Sequence, residues 1–304
     1  MGAFNAYMAL SGAFDADVAQ DELLSHHTTY RIGGPADLLV TVHSYPALLK
    51  TIELLDREGV DWVILGRGSN ILASDSGYRG CVIKLGREFS RISFGEEGLV
   101  SAGAGALLSK LVNETLSRSL SGIECCVGIP GTVGGAISMD AGTRHDWIGP
   151  RVDNVVTLRP GEGLHRYEGS DVDWGYRYTS LPTNEIILEA TLRLEPDDKK
   201  RIADRMNHLV SRRRLRQPVG KPSCGSVFKN PPDQSVGQLI ESCGLKSYAV
   251  GGAMVSDKHA NFIVNTGGAT AADVVSVIRH VHDCVLERHG VDLACEVKLL
   301  GFDA

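Results

Sequence analysis

Glycines at Gly128, Gly131, Gly134 and Gly135, within Gly128-Ile129-Pro130-Gly131-Thr132-Val133-Gly134-Gly135-Ala136 and on to Ala141-Gly142, give this chain the means to grip an anion. Glycine lets the backbone bend and bares its N–H groups. A run of such groups cradles a phosphate. Ile129, Val133, Ala136 and Ile137 suit a loop lying against a flat apolar body. The first expectation is therefore a pyrophosphate-bearing cofactor with an aromatic part. A tight turn between buried strands accounts for the glycine count equally well. A second loop, Gly66-Arg67-Gly68-Ser69-Asn70, offers N–H groups, a hydroxyl and an amide, with Arg67 to neutralise a pyrophosphate. A plain strand-end turn is the matching alternative there.

Neither loop is a Rossmann fingerprint, which needs Gly-x-Gly-x-x-Gly opening a helix. Counted from Gly66 the sixth position is Ile71, and counted from Gly103 it is Leu108. There is no Walker lysine loop, no HExxH and no Gly-x-Ser-x-Gly elbow. His280 and His282 stand two apart on a helical pattern and do not share a face, so no metal site is expected. Three further stretches carry polar groups that bear on chemistry. Asp173–Ser180 is aromatic with one arginine, Arg177, which by itself reads as a solvated side chain on a sheet-edge loop. Pro222–Pro231 crowds Ser226, Lys229 and Asn230 around Gly225. Glu296 interrupts an apolar strand pattern, and the wet face is the default place for it.

The elements that must hold these groups follow from the apolar periodicity. Leu48, Leu49, Ile52 and Leu55 predict a helix up to Gly59, with Ser44 as cap and Pro46 in its first turn. Strands are predicted at Trp62–Leu65, Cys81–Leu85, Leu99–Ala102, Val155–Leu158 and Ile186–Leu194, with a helix over Ala106–Leu116. Asp197–Arg205 is helix-prone and runs into Arg212, Arg213, Arg214 and Arg216, a charged stretch that marks a domain junction. Its arginines form a solvated helix face or draw in an anionic substrate. Beyond it come a helix at Ser235–Cys243, a strand at Phe262–Val264, a long helix at Ala271–Arg288 between Thr270 and Gly290, and a strand at Cys295–Leu300.

Composition sets the limits. A chain of 304 residues has room for about two domains. Its 43 % apolar and 22 % charged content is that of a globular protein. A net charge of −6 argues against general nucleic-acid affinity. Seven cysteines, an odd number without metal spacing, point to a reducing, cytoplasmic compartment. Met1–Gly12 lacks the cationic flank of a signal peptide, no stretch is long enough to insert in a membrane, and Ala6 stands where myristoylation wants Ser or Thr.

Six segments together resemble one family. They are Thr-Thr-Tyr-Arg-Ile-Gly-Gly-Pro-Ala (28–36), Leu-Gly-Arg-Gly-Ser-Asn-Ile-Leu (65–72), the glycine loop (128–136), Tyr-Arg-Tyr-Thr-Ser (176–180), Gly-Ser-Val-Phe-Lys-Asn-Pro (225–231) and the Glu296 strand. In this order they resemble the UDP-N-acetylenolpyruvoylglucosamine reductases, the MurB family, over residues 25 to 301, in the shorter subclass. The resemblance implies an α+β protein: a vanillyl-alcohol-oxidase/PCMH-like FAD-binding fold over 25–198, after a variable lead-in at 1–24, and a smaller α+β MurB-type substrate-binding domain over 199–304. It implies noncovalent FAD, NADPH as reductant, and a UDP-sugar whose enolpyruvyl ether is reduced in peptidoglycan synthesis, and with it a part in cell shape and division.

By the same resemblance Arg31, Gly66, Arg67, Gly68, Ser69, Asn70, Gly128, Pro130, Gly131, Thr132, Gly134, Gly135 and Ala136 hold FAD. Tyr176, Lys229 and Asn230 bind substrate. Arg177 and Glu296 stabilise charge on the substrate carboxylate, and Ser226 supplies a proton. Asp140 departs from the family, which often has Asn there. A carboxylate near a pyrophosphate or a reduced flavin is repulsive unless paired, and Arg144 is the candidate partner. The alternatives are another FAD oxidoreductase of the same fold acting on a different sugar or alcohol, with a covalent link through Cys125 or Cys126 open to it, and a non-catalytic nucleotide-sugar binder.

Overall fold

The computed structural model describes residues 2–12, 15–143 and 145–302. The chain forms two compact units, each gathered from separate stretches. The first holds Met1–Ala19, Leu38–Gly66 and Cys81–Arg212, and the second holds Gln20–Asp37, Arg67–Gly80 and Arg213–Ala304.

In the first unit, helix α1 (Gly2–Leu10) and helix α2 (Tyr45–Arg57) share one core. The spacing of Leu48, Ile52 and Leu55 turns one stripe of α2 onto Leu38, Val40, Val42 and Ile83, and Ala6 and Leu10 of α1 join them. Pro46 lies in the first turn of α2, and Gly59, with φ +64°, follows its end. Ser44 stands at the cap position but makes no side-chain capping bond. The stretch 1–24, given no element by its pattern, carries α1 and the strand Ala16–Leu23.

The larger part of this unit is a five-stranded antiparallel sheet, in the order Gly163–Glu168, Val152–Arg159, Ile186–Arg193, Leu99–Gly103 and Ile92–Phe94. The register between Ile186–Arg193 and Val152–Arg159 slips at Ile187/Glu189, a bulge that leaves Leu188 as the extra residue. Ile186 and Leu188 thereby join the core of α1 and α2, while Ala190 and Leu192 join a second core. That core is closed by helix α3 (Leu108–Ser117), the short helix α4 (Val133–Ser138) and the buried Ile202 and Met206 of helix α5 (Lys199–Arg216). Helix α5 runs further than its charged first half predicts. The four arginines lie on its last turns, where cations complement the carbonyl end of a helix.

In the second unit a three-stranded antiparallel sheet, Ala249–Val250, Ala253–Val255 and Ile263–Asn265, shares a core with helix α6 (Val236–Ser242) and helix α7 (Ala271–His289). Thr270 and Asp273 form a reciprocal cap at the start of α7, and Asp75 accepts from the amides of Ala271 (2.7 Å) and Ala272 (3.0 Å). Gly290, left-handed at φ +67°, ends the helix. The closing strand covers Lys298–Leu300 only and pairs in parallel with Ile71–Ala73. Tyr30, Ile32 and Leu72 are buried in the same core. Among the described residues no helix is long and apolar enough to cross a membrane.

Candidate functional site

In the first unit the glycine loop leads into α4. Gly128 and Gly131 have φ of +72° and +158°, a backbone course that favours glycine. Thr132 caps α4 by accepting from the amide of Gly135 (3.4 Å), and the amides of Val133 and Gly134 donate to the carbonyls of Ala106 and Ala104 (both 2.9 Å). These three donors, expected to cradle a phosphate, are thus engaged by the protein itself. The pair Gly134-Gly135 divides by role. A Cβ on Gly134 would stand 2.8 Å from that of Ala104, whereas one on exposed Gly135 would meet only Thr132 Oγ1, at 3.6 Å. Thr132 also faces Gly66, whose added Cβ would lie 2.7 Å from Thr132 Oγ1. The two glycine loops therefore touch through Gly66 and Thr132, and the side-chain-free edge at Gly135 fits a cofactor that lies close to the backbone. Cys125 and Cys126 precede this loop and are each 1 % exposed, inside the core.

Arg177 is placed by a hairpin, Trp174–Gly175 against Tyr178–Thr179, with Tyr176 and Arg177 forming its turn. Arg177 adopts φ +58°, unusual for a side chain with a Cβ. Its guanidinium carbon lies 5.3 Å from the ring centre of exposed Tyr176. The hairpin base is pinned by Trp174 Nε1 donating to the Gly169 carbonyl (2.9 Å). Asp140, just after α4, is buried, and burial pushes its carboxyl up to about 6 against the opposing pull of the Gly149 amide and Arg177. Arg144, its expected partner, lies outside the described residues.

In the second unit the segment around Ser226 pairs with the segment around Glu296. The amide of Lys229 donates to the Ala294 carbonyl and that of Glu296 to the Val227 carbonyl (both 2.8 Å), flanking a bridge between Phe228 and Cys295. Ser226 is half-buried, and Lys229 and Asn230 are exposed. Glu296 is only 8 % exposed, which overturns the wet-face default: this segment is fixed by one bridge and not by a regular ladder with a solvent side. Asn70, expected at a cofactor, donates through Nδ2 to the Glu296 carbonyl (3.0 Å). Asn230 accepts through Oδ1 from the Val236 amide (3.0 Å) and so holds the start of α6.

Arg31 and Arg67 are exposed, and Arg31 has φ +56°. Gly68 must lack a side chain, since a Cβ would stand 2.4 Å from the His27 carbonyl oxygen. Thr29 donates to Gly68 from both its amide (3.2 Å) and its hydroxyl (3.3 Å).

The expected residues therefore divide. Gly66, Gly128, Pro130, Gly131, Thr132, Gly134, Gly135, Ala136, Tyr176 and Arg177 belong to the first unit; Arg31, Arg67, Gly68, Ser69, Asn70, Ser226, Lys229, Asn230 and Glu296 belong to the second. Sequence reasoning missed Asn261, which is buried and clamps Phe228, accepting from its amide (3.0 Å) and donating to its carbonyl (2.8 Å). It missed Tyr30 and Cys224 as well. Burial pushes the Cys224 thiol up to about 12 and raises the Tyr30 phenol, leaving an uncharged pair beside the Ser226 segment. Among the described residues no cluster of His, Cys, Asp and Glu could hold a metal.

A model of the FAD-binding domain family matches residues 36–160, and one described as UDP-N-acetylenolpyruvoylglucosamine reductase, C-terminal domain, matches residues 217–300. The chain is similar to a UDP-N-acetylenolpyruvoylglucosamine reductase of Halalkalibacterium halodurans, at 41 % identity over 94 % of this chain and 95 % of the relative. One from Moorella thermoacetica is 42 % identical over 93 % of each. The solved structure of the UDP-N-acetylenolpyruvylglucosamine reductase from Thermus caldophilus superposes with a TM-score of 0.81 at 37 % identity, over 94 % of this chain and 98 % of that one.

Proposed function

The chain belongs to the UDP-N-acetylenolpyruvoylglucosamine reductase family, and from that premise we infer how its own residues carry the reaction. It is an FAD enzyme that uses NADPH to reduce the enolpyruvyl ether of UDP-N-acetylglucosamine enolpyruvate to UDP-N-acetylmuramate in peptidoglycan synthesis. FAD, reduced by NADPH, supplies the hydride. It is held without a covalent link by Gly66 and the 128–136 loop, and Arg31 and Arg67 to Asn70 supply charge and polar groups. The buried placement of Cys125 and Cys126 supports noncovalent binding.

The observation that supports the assignment of the reacting groups is the backbone pairing of Val227–Lys229, which follow Ser226, with Ala294–Glu296. Hydride addition to the terminal carbon of the enolpyruvyl group moves charge onto the substrate carboxylate. Arg177 meets that charge with a guanidinium, and Glu296 with its buried carboxyl group. The Ser226 hydroxyl then gives its proton to the neighbouring carbon and is reprotonated from solvent. Lys229 and Tyr176 bind the sugar diphosphate, and Asn230 adds its amide while fixing α6. Residues 25–198 hold the cofactor, and 199–304, together with Tyr176 and Arg177, serve the substrate. The enzyme acts in the cytoplasm, without nucleic-acid or membrane partners.

Purified protein is expected to be yellow, to release FAD and not FMN on acid denaturation, and to oxidise NADPH when the enolpyruvyl sugar is added. Colourless protein that FAD does not reconstitute would end this reading, and so would NADPH oxidation indifferent to the sugar.

A further inference from the structure

The far end of the 128–136 loop is fixed by the amides of Val133 and Gly134 on the carbonyls of Ala106 and Ala104. Its near end follows the short turn Glu124–Cys126. The Val127 amide donates to the Glu124 carbonyl (2.9 Å) and the Ile129 amide to that of Cys126 (3.1 Å), so the place of this turn is handed on to Gly128. Gly128 and Gly131 have no Cβ to restrict their backbone, and the course of the loop depends on what anchors its ends.

The Glu124 carboxylate is the anchor on this side. The residue is 8 % exposed. Its Oε1 accepts from Arg205 Nη2 (2.7 Å) and Nε (3.0 Å) and from Ser121 Oγ (2.9 Å), and its Oε2 accepts from the Gly122 amide (2.7 Å). Burial pushes this carboxyl up, but Arg205 and the Gly122 amide outweigh burial and hold it below the ordinary carboxylate range. Arg205 is itself fixed. Its Nη2 also donates to Asp197 Oδ2 (2.7 Å), and its helix, α5, is set in the core by Ile202 and Met206. The strand pair Glu195–Pro196 with Leu120–Ser121 brings the start of α5 beside the turn. An ion pair taken out of water adds little to stability over an apolar pair of the same shape. What it fixes is geometry, through several directed bonds at once.

We propose that Glu124 and Arg205 are positioning residues for the cofactor: their ion pair sets the entry of the 128–136 loop in the flavin-free protein, so that the Gly135 edge is formed before FAD arrives. This rests on the reading that the 128–136 loop holds FAD. A site ordered beforehand binds more tightly because no ordering is left to be done at binding.

Two measurements on the full-length, flavin-stripped protein test this, at a temperature where circular dichroism shows every variant folded. One is the FAD dissociation constant, read by quenching of flavin fluorescence. The other is amide hydrogen exchange over residues 121–136 without FAD. Arg205→Ala and Glu124→Gln are each expected to raise the dissociation constant about tenfold, equivalent to ordering one more loop residue at binding. Both should speed exchange in the loop, and the double variant should lose no more than either single one. Arg205→Lys keeps the charge but cannot meet Glu124, Ser121 and Asp197 with one planar group, so its dissociation constant should fall between. It also serves if Arg205→Ala does not fold. Arg193→Ala is the control. It removes a pair of the same kind, Arg193 with Asp153 at 2.7 and 3.1 Å on the five-stranded sheet, and should change neither readout.

Wild-type FAD affinity in Arg205→Lys and Glu124→Gln overturns the proposal. So does weaker binding without faster exchange in the flavin-free loop, or an equal loss of affinity in Arg193→Ala. If Gly135→Val binds FAD as wild type does, the assignment of the loop falls first and the proposal with it.

Discussion

The amide of Glu296 donates to the carbonyl of Val227 across 2.8 Å, so the carboxyl assigned to the developing charge is anchored one residue from the hydroxyl assigned to proton transfer. The two half-reactions make different demands on these groups. Reduction of FAD by NADPH needs no substrate proton, and reduction of the enolpyruvyl group does. Ser226→Ala should leave the first step nearly intact and slow the second by roughly 10²–10⁴-fold, the range of a lost general acid. Glu296→Gln keeps a donor and should lose less than Glu296→Ala. Equal loss in both steps for Ser226→Ala, read by rapid-mixing absorbance, would point to a folding or flavin-binding defect in its place.

The neighbouring glycines of the first loop should fail in different ways. Gly134→Ala forces a Cβ to 2.8 Å from Ala104, an overpacking that costs about 1–3 kcal/mol. It should lower the melting temperature of the flavin-free protein. Gly135→Val meets only Thr132, at 3.6 Å, and should melt as wild type does while losing FAD. Full flavin occupancy in purified Gly135→Val would remove this edge from the cofactor site.

Asn261→Ala should weaken the second unit. It strips the buried Phe228 amide and carbonyl of their partners, and each orphaned group costs about 1–3 kcal/mol. Urea denaturation should show a loss of roughly 2–4 kcal/mol with an unchanged slope. A loss below 1 kcal/mol would mean that water replaces the amide.

Asp140 should be a burden on stability at neutral pH. Its carboxyl rises from an ordinary value of 3.8 to about 6 in the fold, so the folded state prefers the protonated form. The penalty is absent below pH 3.8, grows as pH rises, and is complete above about 6, at about 3 kcal/mol. Asp140→Asn should therefore stabilise the protein at pH 8 by up to that amount, with the gain vanishing towards pH 4. Denaturation midpoints of the two proteins at several pH values would show it, and a gain that persists at pH 4 would contradict the cause given.

What could be read from the sequence was whatever local chemistry dictates. Helices α2 and α7 carry apolar stripes and end in the left-handed glycines Gly59 and Gly290. Helix α4 escaped notice because two of its six residues are glycine, a poor helix former, and the surviving signal was a threonine three residues before Gly135. The burial of Glu296 was illegible because it depends on a bridge to a segment far away in the chain. The clamp by Asn261 was illegible for the same reason, since a lone asparagine before Phe262 has no pattern. The six motifs marked the chemistry, but the order of motifs says nothing of which loop's amides are already engaged.

The interleaving of the chain bears on how such an enzyme can be taken apart. The core built around α6 and α7 also buries Tyr30, Ile32 and Leu72, and its closing strand Lys298–Leu300 pairs with Ile71–Ala73. A gene fragment beginning at residue 213 would encode both helices and the three-stranded sheet, yet it would lack those side chains and that strand partner. The C-terminal third is therefore not a portable module that recombination can move between proteins or an expression host can make alone. It needs the stretches before residue 80 as well, so the pieces of this unit are made with the whole of Cys81–Arg212 between them.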